Sequence, residues 1–508
     1  MRNLIYSLVL AYASQLAMAQ DTFRNPVING DVADPTVIRY GESYYAAGTS
    51  SEWAPYYPLF RSQDLVNWEQ IGHIFDEKPE WTMSSFWAPE LFVHNDKVYC
   101  YYTARRKSDR ISYIGVAVAD RPEGPYVDHG ELITAGSEDI DAYVYDDHGQ
   151  LYITWKAYGL DPRPIEILGS RLSSDGLHLE GEPFTLLVDE EQIGIEGQCI
   201  FREGDWYYML YSARGCCGGD SDYEVRVARS RSMTAPFINY SDNPILMRSE
   251  DFLSCGHGTL VNTPDGRRFY LCHAYQRGGD FFKGRQPILQ QLAMGSDEWP
   301  HFLTGRLATV RQPMPFAGTK QQSWQGFIDE FTTTEIHHSW TWNYPYSDVC
   351  IGTPGNGKLM LSGTPKAEGA AAALCQRTPA RDYTFAVSVQ NDGQSLRGIT
   401  LYGDAGNYVA LVLRHRSLQL ITLRKGEEKV LEEIPMKAKT VRLQGQVTDG
   451  TRVTFSYDAG QGMQTLSDKP LDIHNILPWD RVTRPGMLSG VVDGGKEKAA
   501  TFTHFEIR

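Results

Sequence analysis

The chain has 508 residues, which is too long for one ordinary domain, and a formal net charge of −15. This acidic balance argues against a nucleic-acid partner, because a protein that binds phosphates needs a basic face. Aromatic residues make up 12% of the chain, which suits sheet packing and contact with sugar rings.

The N-terminal segment 1–19 has the pattern of a signal peptide. Arg2 supplies the positive charge, residues 4–13 form an apolar core, and Ala17-Met18-Ala19 is a small-residue cleavage site before Gln20. A buried N-terminal strand or helix is the alternative interpretation. No later apolar run approaches transmembrane length. We therefore expect an exported protein, periplasmic or secreted, without a membrane anchor.

A repeated unit fills residues 20–312, with successive starts separated by 54, 53, 55 and 61 residues. Each unit opens with a strand-like segment, passes through a polar turn into an aromatic run, and closes with two weaker strand-like segments. Four short strands per unit predict the blades of a five-bladed β-propeller, which pack around an axis because a lone blade cannot bury both faces. The openings are Asp34-Pro-Thr-Val-Ile, Ala88-Pro-Glu-Leu-Phe, Asp141-Ala-Tyr-Val-Tyr, Glu196-Gly-Gln-Cys-Ile and His257-Gly-Thr-Leu-Val.

Three of the five openings begin with an acid, at Asp34, Asp141 and Glu196. Since the first strand of each blade lies nearest the axis, these carboxyl groups are predicted to converge at one mouth of the channel. Crowded carboxyl groups perturb each other's pKa values and cost stability, which points to chemistry. Hydrolysis of a glycosidic bond needs an acid for the leaving oxygen and a base or nucleophile, and a third carboxyl can tune the acid. Each acid alone is weak evidence, since such residues also form turns, cap strands or lie solvated at edges.

A proline-rich segment, 313–326, is predicted to link the propeller to a second domain at 327–508. Short alternating strands with weak helical periodicity predict a two-sheet β-sandwich there, so the expected fold class is all-β. No catalytic constellation is visible in this domain. We interpret it as a structural partner that covers the propeller, with sugar binding or a loop that completes the active site as the alternative.

The cysteines do not form a disulfide scaffold. Cys100, Cys199 and Cys272 lie inside strand patterns and are predicted to be core thiols. Cys216 and Cys217 are adjacent in a glycine-rich loop, where an exported chain allows either a disulfide or two ordinary thiols.

Five short motifs follow one another in blade order: Ala33-Asp34-Pro35, Trp87-Ala88-Pro89-Glu90, Ile140-Asp141-Ala142, Ile195-Glu196-Gly197 and Gly256-His257-Gly258. This set resembles glycoside hydrolase family 43, whose members have a five-bladed propeller and hydrolyse with inversion. The resemblance implies that Asp34 is the general base, Glu196 the general acid and Asp141 the modulator of the acid's pKa. The sandwich that follows the propeller in the family's xylosidases and arabinofuranosidases is a concanavalin-like jelly roll. Three segments of 327–508 resemble it: Phe327–Phe331, Trp340-Thr-Trp342 and Leu401-Tyr-Gly-Asp-Ala-Gly-Asn-Tyr. Gln198 and Ala142 stand where proline is common in the family, and neither change touches a carboxylate.

The same resemblance implies a set of substrate contacts. Trp87 matches a sugar-stacking position, with a core tryptophan as the alternative. Arg285 matches an arginine that contacts substrate in the family. A guanidinium can bond sugar hydroxyls and hold a carboxylate ionised, and a surface salt bridge is the alternative. The Cys216-Cys217 loop resembles one found among arabinan-active members.

Further candidates are weaker. His257 matches a channel histidine that binds water or ligates calcium, and one histidine alone predicts a metal poorly. Other aromatic residues in loops could face the substrate, with ordinary packing as the alternative, at Trp53, Phe86 and Phe282.

We expect an exported, inverting, exo-acting glycosidase that removes terminal α-L-arabinofuranosyl residues from a plant-type glycan. β-Xylosidase is the next alternative, followed by exo-galactosidase and endo-arabinanase, and a non-catalytic carbohydrate-binding propeller is the alternative from another class. An inverting mechanism predicts about 6.5–9.5 Å between the carboxyl groups of Asp34 and Glu196. No cofactor is required, a structural calcium ion in the channel is an option, and a monomer or small homo-oligomer is expected.

Overall fold

The computed structural model describes residues 21–508 except 136–137, 158–163, 278–282, 343–346, 366–369, 393–394, 468, 477–481 and 492–497. Over these residues the structure is almost entirely β, with a 3-10 turn at His474–Ile476. No helix in this part of the chain has the length and apolar character needed to cross a membrane. The predicted signal peptide, 1–19, lies outside the described residues.

Residues 21–313 form the propeller, in which each blade is a four-stranded antiparallel sheet. A short strand, β1 (Thr22–Arg24), precedes the blades. Blade one contains β2 (Thr36–Tyr40), β3 (Ser43–Ala47), β4 (Tyr56–Ser62) and β5 (Glu69–Phe75). Blade two contains β6 (Thr82–His94), β7 (Lys97–Arg106), β8 (Ser112–Ala119) and β9 (Val127–Ile133). Blade three contains β10 (Asp139–Asp147), β11 (Gln150–Ala157), β12 (Glu166–Leu172) and β13 (Leu179–Val188). Blade four contains β14 (Ile195–Glu203), β15 (Trp206–Ala213), β16 (Glu224–Ser230) and β17 (Ile238–Asn239). Blade five contains β18 (Phe252–Asn262), β19 (Arg268–Gln276), β20 (Gln286–Met294) and β21 (Pro300–Phe302).

The propeller closes by joining its two ends. Strand β22 (Arg311–Pro313) pairs with β1, and Phe23 lies opposite Gln312. The pairing therefore extends one residue into the predicted linker. Among the described residues, a buried apolar cluster fills the gap between each pair of neighbouring blades, including the gap between blades five and one. The five-bladed prediction is confirmed, and the aromatic runs supply much of this packing.

The inner strands share a backbone feature at one equivalent position. A residue with positive φ lies there, just before β2 in blade one and within the inner strand of the other blades, at Asp34 (51°), Ala88 (40°), Asp141 (61°), Gly197 (58°) and His257 (44°). Blade four therefore differs from the sequence alignment by one residue: the position equivalent to Asp34 and Asp141 is Gly197, and Glu196 precedes it. The Glu196 side chain thus leaves the backbone from a different position than the two aspartates.

The second domain is a sandwich of two antiparallel sheets, in agreement with the predicted fold. Its strands are β23 (Phe327–Asp329), β24 (Thr341–Trp342), β25 (Ser347–Gly355), β26 (Lys358–Pro365), β27 (Ala370–Cys375), β28 (Tyr383–Gln390), β29 (Leu396–Asp404), β30 (Asn407–Arg414), β31 (Ser417–Arg424), β32 (Glu427–Pro435), β33 (Thr440–Thr448), β34 (Arg452–Asp458), β35 (Gln464–Thr465), β36 (Leu471–Asp472), β37 (Arg484–Gly490) and β38 (Ala500–Ile507). One sheet has the order β25-β26-β38-β28-β33-β34-β35, with β23 beside β38 and β36 beside β34. The other has the order β24-β27-β37-β29-β30-β31-β32. The inward faces of both sheets bury one large apolar cluster, as in other β-sandwiches.

The sandwich packs directly on blade one. Ala54 and Trp342 exchange backbone hydrogen bonds of 3.1 and 2.8 Å. Trp53 lies edge-on to Tyr402 of the sandwich, with ring centroids 5.9 Å apart, and the guanidinium of Arg484 lies 4.3 Å from its ring centre. The sandwich therefore holds the segment of blade one that follows β3.

Candidate active site

Asp34 lies at the start of blade one with its carboxylate surrounded by donors. Oδ2 accepts a hydrogen bond from the Thr49 hydroxyl (2.6 Å), and Oδ1 accepts one from Nη1 of Arg285 (3.2 Å). Nδ1 of His257 lies 3.4 Å from Oδ1. Burial by itself raises the pKa of Asp34, but the nearby Arg285 and His257 outweigh it and hold the pKa well below its usual range. The carboxylate is therefore ionised at ordinary pH.

His273 supports Asp34 as a neutral imidazole. The backbone N–H of Asp34 donates to Nδ1 of His273 (3.1 Å), so the ring proton belongs on Nε2. Nδ1 also lies 3.2 Å from Oδ1 of Asp34, but a nitrogen that accepts from the backbone cannot also donate to the carboxylate. Burial lowers the pKa of His273 to about 4. The ring therefore fixes the left-handed backbone of Asp34 and adds no charge.

Of the three acids that open the blades in the sequence, Asp141 is the one whose pKa is raised. Its backbone N–H donates to the Thr103 hydroxyl (3.1 Å), and its Oδ2 lies 3.9 Å from Nδ1 of His257. Burial raises the pKa of Asp141 to about 6, and the negative charges of Glu196 and Asp34 add to that effect. The His257 imidazole thus lies between Asp34, whose pKa is lowered, and Asp141, whose pKa is raised.

Glu196 faces a different set of partners. The Lys156 ammonium donates to Oε2, and the Tyr223 hydroxyl donates to Oε1 (2.9 Å). Burial raises the pKa of Glu196, but Lys156 outweighs it, so the net shift is downward. The Tyr223 ring also stacks on His273, with centroids 5.6 Å apart. Tyr223 and His273 therefore lie side by side between Glu196 and Asp34. We call the space that the three acids and these two rings border the funnel.

Five equivalent side chains lie beside the acids, four on the second strands of their blades and Thr49 just after the second strand of blade one. They stand 15 residues after the first four positive-φ residues and 16 after the fifth. In the ladders, Thr103, Lys156, Ser212 and His273 lie opposite the residue that precedes the positive-φ position. We call these the rim residues: Thr49, Thr103, Lys156, Ser212 and His273. Thr49 and His273 bond Asp34, and Thr103 bonds the backbone of Asp141. Lys156 bonds the remaining acid, Glu196.

Trp87, the predicted sugar-stacking residue, is joined to the acids through Thr103. It is partly exposed, and it lies opposite Thr103, the residue that bonds the backbone of Asp141. The guanidinium of Arg105 lies 5.8 Å from the centre of the indole ring. Its partial exposure leaves the ring accessible to a substrate.

Two of the other aromatic candidates, Phe86 and Trp53, are packed in the interior. Phe86 is fully buried against Tyr56, with ring centroids 4.2 Å apart. Trp53 is 4% exposed and packs against the sandwich. Sugar contact was one of two expectations for Phe86 and Trp53. Because both side chains are buried, their role is packing. Phe282 lies outside the described residues.

Cys216 and Cys217 form a disulfide, which resolves the alternative that the sequence left open. A bond from Gly215 N–H to Asp222 (2.9 Å) closes their loop on itself. The loop is tied to blade five, since Gly218 N–H donates to the Tyr275 hydroxyl (3.2 Å) and the Ser221 hydroxyl donates to Ser254 (2.7 Å). The loop leads directly into Tyr223, which bonds Glu196. The disulfide therefore lies in the segment that borders the acid.

The side chains around His257 do not form a typical calcium site. His257 directs Nδ1 towards two carboxylates, whereas calcium takes six to eight oxygen ligands. Within the described part of the chain, no group of three or more His, Cys, Asp and Glu side chains is arranged to hold a metal ion. The calcium ion stays a prediction, and no step of the chemistry is assigned to it.

Comparison with known proteins identifies the family of the chain. The model of glycosyl hydrolases family 43 matches residues 23–300, and that of the beta xylosidase C-terminal concanavalin A-like domain matches residues 328–506. The first match covers more than half of the chain, and the chain therefore belongs to glycosyl hydrolase family 43.

Individual relatives carry several activities in their names. A non-reducing end alpha-L-arabinofuranosidase of Bacteroides ovatus is 26% identical over 94% of this chain and 90% of its own length. A xylosidase/arabinosidase of Humicola insolens is 28% identical over 67% of this chain, which spans just under two thirds (66%) of that relative. The structure of a xylan beta-1,4-xylosidase from Bacillus halodurans covers 96% of this chain and 100% of its own at a TM-score of 0.82, with 20% identity, a likeness of fold.

Proposed function

We propose that this family 43 glycoside hydrolase removes terminal α-L-arabinofuranosyl residues from the non-reducing ends of a plant-type glycan, with inversion. The observation that carries the proposal is that three neighbouring acids have environments that shift their pKa values in different directions. Arg285 holds Asp34 ionised, whereas Asp141 retains a proton to about pH 6. Carboxyl groups whose environments push their pKa values apart are the usual basis for dividing acid and base roles.

Asp34 is assigned as the general base. A base must be ionised before it can take a proton from water, and Arg285 provides this condition. Thr49 and Arg285 also fix the two carboxylate oxygens in space. One oxygen is therefore oriented to hold the attacking water on the face of the sugar opposite the leaving group.

Glu196 is assigned as the general acid, and Asp141 as the residue that tunes it. The leaving oxygen needs a proton as the glycosidic bond breaks, and Tyr223 orients the Glu196 carboxyl that would supply it. Asp141 and Glu196 repel each other as anions, so the pair holds one proton more tightly than either carboxyl alone.

The assignment of arabinose rests on two observations. The relative aligned over nearly the whole chain is named for arabinofuranose at the non-reducing end. The loop that contains Cys216 and Cys217 borders Glu196 through Tyr223 and is similar in sequence to a loop of arabinan-active members. β-Xylosidase is the second candidate, because the C-terminal domain matches a model named for that activity.

A panel of 4-nitrophenyl glycosides tests the proposal. We expect turnover of the α-L-arabinofuranoside, with the β-D-xyloside slower, and proton NMR of the first product should show an inverted anomeric centre. Faster turnover of the xyloside would reassign the sugar, and retained configuration would reject the inverting mechanism. No turnover of any pentoside or hexoside would favour a non-catalytic binding protein.

Export is proposed from the signal-peptide pattern of residues 1–19. Sequencing the N-terminus of the mature protein from the native host tests it. We expect the mature chain to begin at Gln20, and an intact N-terminus on the active protein would contradict the proposal.

A further inference from the structure

Lys156 differs in chemistry from the other four rim residues. Each of those four accepts a hydrogen bond from the backbone N–H of the positive-φ residue in the next blade. The bonds run from Ala88 to Thr49 (2.8 Å), from Asp141 to Thr103 (3.1 Å), from His257 to Ser212 (2.7 Å) and from Asp34 to His273 (3.1 Å). These bonds join neighbouring blades at the funnel and hold a strained backbone in place.

An ammonium cannot perform this task. It has three donors and no lone pair, so Lys156 cannot accept a hydrogen bond from a backbone N–H. The Lys156 side chain is 3% exposed, and burial of a lysine is costly unless its charge is compensated. Its position in blade three is therefore not explained by the role that its equivalents have. What Lys156 contacts instead is Oε2 of Glu196 in blade four.

We propose that Lys156 is a positioning residue for the general acid, which fixes the Glu196 carboxyl in the funnel and sets the upper pH limit of activity. This inference rests on the proposed role of Glu196. Lys156 holds Oε2 while Tyr223 holds Oε1, so the carboxyl is fixed from two blades. The positive charge favours the ionised acid, and activity is lost once the acid loses its proton.

The charged groups around Glu196 set the direction of the effect. Lys156 on β11 favours the anion, and so does His257 on β18. Asp141 on β10 is coupled to Glu196 and carries the opposite charge to Lys156. Tyr223, between β15 and β16, donates to the anion. Lys156 lowers the pKa of Asp141 as well as that of Glu196. Its removal therefore raises the proton affinity of the pair, whichever carboxyl holds the proton.

The test is the pH dependence of kcat/KM in Lys156→Met, Lys156→Gln and Lys156→Arg. Loss of the charge should move the basic limb to higher pH by about one unit or more, because an adjacent opposite charge shifts a carboxyl pKa by about 1–3 units. Lys156→Arg keeps the charge, so its basic limb should stay in place. The acidic limb, which belongs to Asp34, should not move in any variant. The loss of kcat should be larger on natural linkages than on dinitrophenyl glycosides, which need little protonation.

Glu196→Gln separates failure of this inference from failure of the proposed function. If Glu196 is the acid, its basic limb disappears. An unmoved limb in Lys156→Met and Lys156→Gln would then overturn only the inference about Lys156. A basic limb that persists in Glu196→Gln would reject the acid assignment and the inference with it. If circular dichroism showed that neither uncharged variant folds, Lys156 would be structural and the proposal would fall.

Discussion

Gly197 lies directly beneath the imidazole of His257, so that a β-carbon on Gly197 would come within 2.6 Å of the ring. Gly197 also has a φ of 58°, the conformation found at the equivalent position of the other four blades. His257 in turn directs Nδ1 towards Asp34 and Asp141. Glycine after Glu196 thus serves two purposes: it allows the backbone to turn, and it leaves space for the ring between the acids.

Gly197→Ala should damage activity more than stability. The new methyl group would displace His257 and the adjacent Glu196 backbone, and a displacement of about 1 Å costs roughly 100-fold in kcat/KM. Gly204→Ala is a matched control, because Gly204 has a φ of 57° and no atom within 4 Å of a built β-carbon. Both variants should lose about 1–2 kcal/mol of unfolding free energy from backbone strain, measured by urea denaturation. Equal activity in the two variants would contradict the packing argument.

Removal of the Arg285 side chain should move the acidic limb of activity. Arg285 lowers the pKa of Asp34, so Arg285→Met raises it, and the base becomes protonated as pH falls through a higher value. The acidic limb of kcat/KM should shift upward by about 1–3 pH units. Arg285→Lys, which retains a charge, should shift it less. The measurement is a pH–rate profile on a nitrophenyl substrate, and a limb that stays in place would remove Arg285 from this role.

The leaving group should decide how much activity Glu196→Ala retains. A natural sugar alkoxide leaves poorly without a proton, whereas dinitrophenolate needs little help. The ratio of wild-type to variant kcat/KM should therefore be at least about 100-fold larger on an arabinan oligosaccharide than on the dinitrophenyl glycoside, since general acid catalysis contributes about 10²–10⁴. Similar losses on both substrates would show that Glu196 acts otherwise.

The sequence predicted the fold because its repeat is local. Each blade carries its turn and aromatic run within one unit, and the positive-φ position recurs with it. The convergence of Asp34, Asp141 and Glu196 near His257 followed from blade geometry. The one-residue offset at Glu196 was missed, since an alignment by acid type hides the backbone position that Gly197 occupies.

The neighbours of the acids were harder to predict. Lys156, Tyr223 and His273 lie far from the acid motifs in sequence and resemble ordinary strand or loop residues. A count of 15 residues from Asp141 finds Lys156, as the same count from Asp34 finds Thr49. The alignment of blade four affects only Ser212, which follows Gly197 by 15 residues. Trp53 could not be placed in this way, because its partners Tyr402 and Arg484 belong to another domain.

Arg484 links the sandwich to Asp31, which lies beside Arg285 in the propeller. Its Nη1 donates to the Thr341 hydroxyl (2.9 Å), and its Nη2 lies 4.0 Å from Oδ2 of Asp31. Asp31 accepts a hydrogen bond from the backbone N–H of Arg285 (3.0 Å), the residue that holds Asp34 ionised. A change at this interface should therefore reach the active site through Asp31.

Arg484→Met should lower both stability and activity. The Arg484 side chain is 4% exposed, and loss of its buried hydrogen bond to Thr341 should cost about 1–3 kcal/mol. Arg452→Met is the control, because the Arg452–Asp449 pair is exposed and should be worth less than about 1 kcal/mol. Calorimetry should show a lower Tm for Arg484→Met, and its acidic limb should move towards that of Arg285→Met. A lower Tm with an unchanged pH profile would mean that the sandwich stabilises blade one without orienting Arg285.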